Sequence, residues 1–118
     1  MERIANIEAA YNQSISFAVG DGASTATITL RYVSNLSAWY MDLKYGEFEL
    51  NNRRLYSNPN ILRQWHKIFP FGLGCFCVDG QDPYFLEDFK NERAYLYVLS
   101  ATEVENYEDV LSEIKDEV

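Results

Sequence analysis

The chain has 118 residues, 47% of them hydrophobic, and a formal net charge of -8. That is enough for one domain with one core. No apolar run approaches the roughly 18 residues of a membrane span, and Met1-Glu2-Arg3-Ile4 lacks the apolar stretch of a signal peptide, so a protein made and kept in cytosol is expected. The charge is uneven: Ala101 to Val118 holds seven acids against Lys115, whereas Asn51 to Val78 holds Arg53, Arg54, Arg63 and Lys67 and no acid. Separated blocks of this kind mark either contact surfaces or two solvated faces.

Residues 1 to 12 place Ile4, Ile7 and Tyr11 at near-helical spacing in a lead too short to stand alone as a helix. Ser14 to Val19 alternates Ile15, Phe17 and Val19, and Gly20-Asp21-Gly22 supplies a turn. From Ala26 to Tyr45 the pattern is clearest. Ile28, Leu30 and Tyr32 alternate with Thr27, Thr29 and Arg31, and beyond a short link Trp39, Met41 and Leu43 alternate with Tyr40, Asp42 and Lys44. A period of two sends one set inward, so these are two strands of a hairpin. A lone hairpin is marginal in water, and other elements must cover its apolar face. Tyr45-Gly46-Glu47 is a turn into a short fourth strand, Phe48 to Leu50, ending at Asn51-Asn52.

Ser57-Asn58-Pro59 followed by Ile61, Leu62, Trp65, Ile68 and Phe69 predicts one short helix over Pro59 to Lys67 that Pro70 ends. Phe71 to Val78 is a buried strand, Asp79-Gly80 a turn, Tyr84 to Asn91 one helical turn, and Ala94 to Ser100 the closing strand. Beyond it Val104, Tyr107, Leu111, Ile114 and Val118 follow the alternating 3, 4 spacing of a helical seam, with Thr102 and Glu105 as a capping box. Two heptads do not hold a helix by themselves, so this tail needs its own sheet or a neighbour to lie on. The expected fold is mainly β: a small antiparallel β-sandwich or partly open barrel with one short helix and a C-terminal amphipathic helix. Residues 1-100 form the β-rich domain and 101-118 an acidic helical extension.

No catalytic site, cofactor site or metal site is read from the chain. Paired acids such as Glu47 with Glu49, or Glu87 with Asp88, have no partner whose role can be named. Cys75 and Cys77 sit two apart, on a strand about 7 Å from each other, too far for a relaxed disulfide, and read as small buried thiols. A nucleophile pairing either thiol with the lone His66 lacks a surrounding motif, and a zinc site built from His66, Cys75, Cys77 and Asp79 lacks two well-spaced ligand pairs. The glycines of Phe71-Gly72-Leu73-Gly74 lie in an apolar strand and mark a bulge or close packing rather than a phosphate cradle. The basic block with Tyr56 and Trp65 interleaved gives weak support for nucleic-acid binding on a chain of net charge -8.

The unexplained surplus is aromatic, nine tyrosines among 18 aromatic residues. Tyr40 falls on the face opposite Trp39, and one of Tyr95, Tyr97 or their neighbours must face outward. Tyrosines with one dry and one wet side suit protein interfaces. The outward aromatics, opposed charge blocks and seam-like tail point to a subunit that assembles. Its candidate interface residues are Tyr40, Arg53, Arg54, Arg63, Lys67, Tyr107, Leu111 and Ile114.

The succession Thr27-Ile28-Thr29-Leu30-Arg31-Tyr32, Trp39-Tyr40-Met41-Asp42-Leu43, Asn60-Ile61-Leu62, Phe71-Gly72-Leu73, Asp82-Pro83 and Tyr95-Leu96-Tyr97 resembles the baseplate plug family of cyanophage-type myoviruses. The likeness covers about Ser14 to Ser100, through packing motifs. It departs at Arg53-Arg54-Leu55-Tyr56, where family members usually carry glycines, and the acidic Thr102 to Val118 lies beyond it. The resemblance implies a non-enzymatic structural component of a contractile phage tail baseplate, located in the virion and assembled in the host cytoplasm. It implies a plug-like spacer between tail tube and central hub. Its partners would be the hub, the tail tube or tube initiator, and the spike, with copies in a homo-oligomeric ring and neither nucleic acid nor membrane bound. The competing reading is a free-standing small β-barrel that holds a sugar or peptide through Trp39, Tyr40 and Trp65.

Overall fold

A computed structural model describes residues 2–4, 7–19, 24–65 and 68–116, with the side chains of residues 2 and 112–116 left aside. Alternation dictates the first sheet. Strands β2 (Asn12–Val19), β3 (Ser24–Val33), β4 (Ala38–Tyr45) and β5 (Phe48–Arg54) form an antiparallel meander in that order, preceded by the two-residue β1 (Glu2–Arg3). Ile28, Leu30, Trp39, Met41 and Leu43 are fully buried. Their neighbours on the other face form hydroxyl ladders, with Ser14 and Thr29 bonded at 2.9 Å and Ser16 and Thr27 at 3.0 Å. Each such cross-strand pair contributes on the order of 0.2–1 kcal/mol.

β5 runs past its expected end at Leu50 to Arg54, through a bulge opposite Asp42 where Asn52 takes φ 60°. Asp42 holds the bulge: its Oδ1 accepts the Asn52 backbone N–H at 2.7 Å and the Arg31 guanidinium at 3.0 Å. Asn tolerates the left-handed region better than most residues.

The second sheet joins β6 (Gly72–Cys77) to β7 (Ala94–Leu99), with β1 on the far side of β7. Within the lead, Glu2–Arg3 is thus a strand, and the described residues 4 and 7–11 form no helix. The Ile4 N–H donates to Leu96 at 2.8 Å, and Ile4 and Ile7 are buried in the core. Leu73, Cys75 and Leu96 face inward, and the inner sides of the two sheets share one core without closing into a barrel. Phe17, Tyr45, Phe69 and Phe71 fill one part of it with edge-to-face contacts at 5.4 to 6.3 Å.

The helix expected over Pro59 to Lys67 is reduced to a single 3₁₀ turn, Arg63–Trp65, with residues 66 and 67 outside the described residues. The segment is claimed by the sheet instead. Asn58 and Cys75 exchange backbone bonds at 3.0 and 2.9 Å, and the Ile61 N–H donates to Leu73 at 2.7 Å. The buried Asn60 locks this arrangement, its Oδ1 accepting from Leu62 and Leu73 at 3.1 and 3.2 Å. The stretch Tyr84 to Asn91 makes no helix; after a bend at Phe85, residues 86–92 form consecutive turns that cover the end of the core. There the Tyr32 hydroxyl donates to the Tyr84 carbonyl at 2.7 Å and the Trp39 indole N–H to the Phe85 carbonyl at 3.0 Å.

Arg93 ties this corner to Asp79, whose carboxyl is held below its usual range by the Gln81 backbone N–H and then by Arg93. A depressed folded value means that the carboxylate stabilises the fold above the ordinary carboxylate pKa, and that this is lost as pH falls through the folded value. Thermal melts are therefore expected to soften below about pH 4 in the parent. Asp79→Asn should flatten that part of the profile, and an unchanged profile would remove Asp79 from the account.

The C-terminal helix α1 (Ala101–Asp116) starts two residues earlier than its expected box. Ser100 is the cap: its Oγ accepts the Glu103 N–H at 3.2 Å, and the Glu103 carboxylate accepts the Ser100 N–H at 3.1 Å.

Candidate protein interaction surfaces

On β6 and β7 the register pairs Phe76 with Tyr95 and Gly74 with Tyr97. The alternation that buries Cys75 and Leu96 turns these residues outward. Phe76 and Tyr95 stack at 6.5 Å and 27°, Tyr97 lies 6.2 Å from Tyr95, and the Arg3 guanidinium covers the Tyr95 ring at 4.4 Å. Beside this aromatic stripe the first turns of α1 pack at the Gly72 and Leu99 end of the sheet, and Asn58 is bridged to β6 at Cys75. Between them lies an apolar groove of about 740 Å³. Its lining includes Pro59, Gly74, Phe76, Tyr97, Leu99 and Tyr107, with Glu103 and Asn106 at the helix side.

Tyr107, chosen from the helical seam, thus lines the groove. Leu111 is half-buried further along α1, and Ile114 lies in the helix with its side chain outside the described residues. Tyr40 is half-buried on the outer face of the large sheet, opposite the exposed Arg54 in register. Arg53 is exposed and lies over the Trp65 ring at 4.9 Å. Arg63 binds Glu108 of α1 at 2.9 Å, so the basic block and the acidic helix meet within one chain. Lys67 lies outside the described residues. These residues occupy at least two surfaces, the outer face of the four-stranded sheet and the side carrying α1.

The ligand-binding trio of Trp39, Tyr40 and Trp65 is not assembled. Trp39 is fully buried with its N–H spent on Phe85, and Tyr40 points away from it. Both cysteines are free and buried. Burial raises the Cys75 thiol strongly and the adjacent Cys77 adds to it; burial likewise raises Cys77. Thiols held neutral are poor nucleophiles and poor ligands. Among the described residues no three metal-ligating side chains converge.

The groove's aromatic wall escaped the candidate residues because its facing is set by the pairing of Phe76 with Tyr95, 19 positions apart in sequence. The expectation of an outward residue among Tyr95, Tyr97 and their neighbours reaches this wall through Tyr97, and Phe76 is the member it does not name.

No curated protein matches the chain. A family model described as cyanophage baseplate Pam3 plug gp18 matches residues 1–102, which takes in both sheets, the covering turns and the start of α1. The chain belongs to the family of cyanophage baseplate plug proteins and is a structural component of the virion's tail baseplate.

Proposed function

We propose that the protein is a non-enzymatic plug-like spacer in a contractile tail, seated between the tail tube and the central hub or spike. The observation that carries this reading is the family match across residues 1–102. The physical character of the molecule supports it. Two sheets share one core, giving a stiff body, and the exposed features are contact features: an apolar aromatic groove, a polar sheet face and separated charges. Residues 1–100 act as the plug body and 101–118 as an extension that latches onto an adjacent chain through Tyr107, Leu111 and Ile114. Copies in a ring would set Tyr40, Arg53, Arg54 and Lys67 of one against the acidic helix of the next, a heterologous contact closed by rotation. Arg63 serves that contact indirectly, by holding α1 in place through Glu108.

Deleting Glu103 to Val118 tests the division. Val104 is the buried member of the deleted stretch among its described side chains, so loss of its packing is expected to cost about 1–3 kcal/mol and leave a folded domain. Baseplates assembled with the truncated chain should incorporate it at least about tenfold less than the full chain, which corresponds to about 1.4 kcal/mol of lost association. A truncation that unfolds, by loss of near-ultraviolet circular dichroism, would make α1 part of the core. One that folds and assembles normally would remove the latch.

A further inference from the structure

The two sheets have four lateral edges, and three are blunted. β1 is two residues long. The outer edge of β6 is occupied by Asn58 and Ile61. β5 carries the Asn52 bulge with Glu49, Arg53 and Arg54, features that discourage strand addition. β2 has no such device. It is eight residues long, and from Ala9 to Val19 the chain holds no charge, no proline and no glycine.

The register shows what this edge presents. The Tyr32 N–H donates to the Tyr11 carbonyl at 2.9 Å, so Tyr11 and Tyr32 form a hydrogen-bonded pair, and such pairs alternate along an antiparallel ladder. Gln13, Ile15 and Phe17 therefore bond to β3, while Asn12, Ser14, Ser16 and Ala18 aim N–H and C=O outward. The close Ser14–Thr29 and Ser16–Thr27 hydroxyl contacts fit the narrow, non-bonded pairs that this assignment requires. Among the described residues nothing bonds these outward groups. Ile15 and Phe17 remain only half-buried at the margin of the core.

We infer that β2 is a self-association strand, pairing antiparallel with β2 of a second copy about Ser16. In that register Ile15 lies opposite the partner's Phe17 on the inner face, Ser14 opposite the partner's Ala18 on the outer face, and Ser16 opposite its own equivalent. Every outward-facing residue from 14 to 18 meets an outward-facing mate. The inner pairs are β-branched against aromatic, a favourable cross-strand combination. Because the strand is uncharged, no like charges are brought together, although the chain carries -8 overall. β5 of a second copy is the poorer mate, since its bulge breaks the flat register and its charges would sit opposite none. The contact is isologous and joins two copies and no more, separate from the ring contact proposed above. One strand pair buries far less than the roughly 800 Å² per partner of a standard interface, so a weak dimer is expected.

Sedimentation of the purified full chain from about 1 to 500 µM tests this, with a concentration-dependent dimer expected in the upper range. Ser16→Pro removes an N–H that faces outward, so the β2–β3 ladder loses no bond and dimerisation should weaken more than about tenfold. Ser16→Lys, which keeps the backbone donor but sets two cations face to face, should do the same and covers the case in which the proline variant fails to fold. Ser16→Cys should form an intermolecular disulfide under mild oxidant, because paired Cα atoms about 5.5 Å apart suit that bond. The exposed Ser34→Cys, in the β3–β4 link, should not cross-link at the same concentration. A chain that stays monomeric throughout, a lysine variant that dimerises like the parent, or equal cross-linking at 16 and 34 overturns the inference.

Discussion

Replacing Asp88 by alanine is expected to cost about 3–5 kcal/mol, read as a lowered urea midpoint with unchanged slope. Asp88 is 3% exposed, and its Oδ2 collects three donors: the backbone N–H groups of Tyr84 and Phe85, at 2.7 and 2.8 Å, and the Arg93 guanidinium. Removing the carboxylate leaves two amides without an acceptor and a largely buried cation without its closest counter-charge. Each unsatisfied buried amide costs about 1–3 kcal/mol. The damage spreads, because the residues that Asp88 fixes are the ones that tie the turns to the large sheet through Tyr32 and Trp39.

The companion variants separate charge from hydrogen bonding. Asp88→Asn retains one acceptor and should lose about half as much as the alanine change. Arg93→Met leaves Asp88 with both backbone donors and fills part of the space over Tyr84, where the guanidinium lies 4.1 Å from the ring. It should therefore be milder than Asp88→Ala. An alanine variant within about 1 kcal/mol of the parent would show that the corner is held by its apolar contacts instead.

What could be read from sequence depended on how far each signal reached. The β3–β4 hairpin was plain because period-two alternation over both strands has one meaning when one face is buried. The stretch from Pro59 was misread for the opposite reason. Ile61, Leu62, Trp65 and Phe69 satisfy helical spacing, but the backbone of Asn58 and Ile61 is taken by β6, more than ten positions away, and the Asn60 amide fixes that choice. The α1 cap was displaced by two residues because Ser100-Ala101-Thr102-Glu103 and Thr102 with Glu105 fit the same motif, and only the end of β7 decides between them. The seam spacing of α1 is enough to put Tyr107 on the helix face that lines the groove. The pairing of Arg63 with Glu108 was not legible, since those residues are 45 apart and the charge blocks alone do not say whether they meet inside one chain or between two.

Gly74→Ala is expected to be the other severe change, at about 3–5 kcal/mol: overpacking of about 1–3 kcal/mol together with two weakened hydrogen bonds of about 1 kcal/mol each. A Cβ on Gly74 would lie 2.8 Å from the Pro59 carbonyl oxygen, which is backbone and cannot rotate aside. Pro59 adjoins Asn58, whose two bonds to Cys75 hold this segment against β6, so the strand can accept the methyl only by pushing the bridge open. The same displacement widens the groove between Ser57–Pro59 and α1, and an interface built there should weaken along with stability. Gly46→Ala gives the comparison: nothing lies within 4 Å of its Cβ, and the cost is that of a left-handed residue at φ 59°, about 1–2 kcal/mol. Gly74 has no positive φ, so if chemical denaturation puts the two changes at the same value, the Pro59 segment yields to the methyl at little cost. A gap of about 2 kcal/mol or more assigns the cost at Gly74 to the close approach of Pro59, and with it the reason that only glycine fits where the groove has its floor.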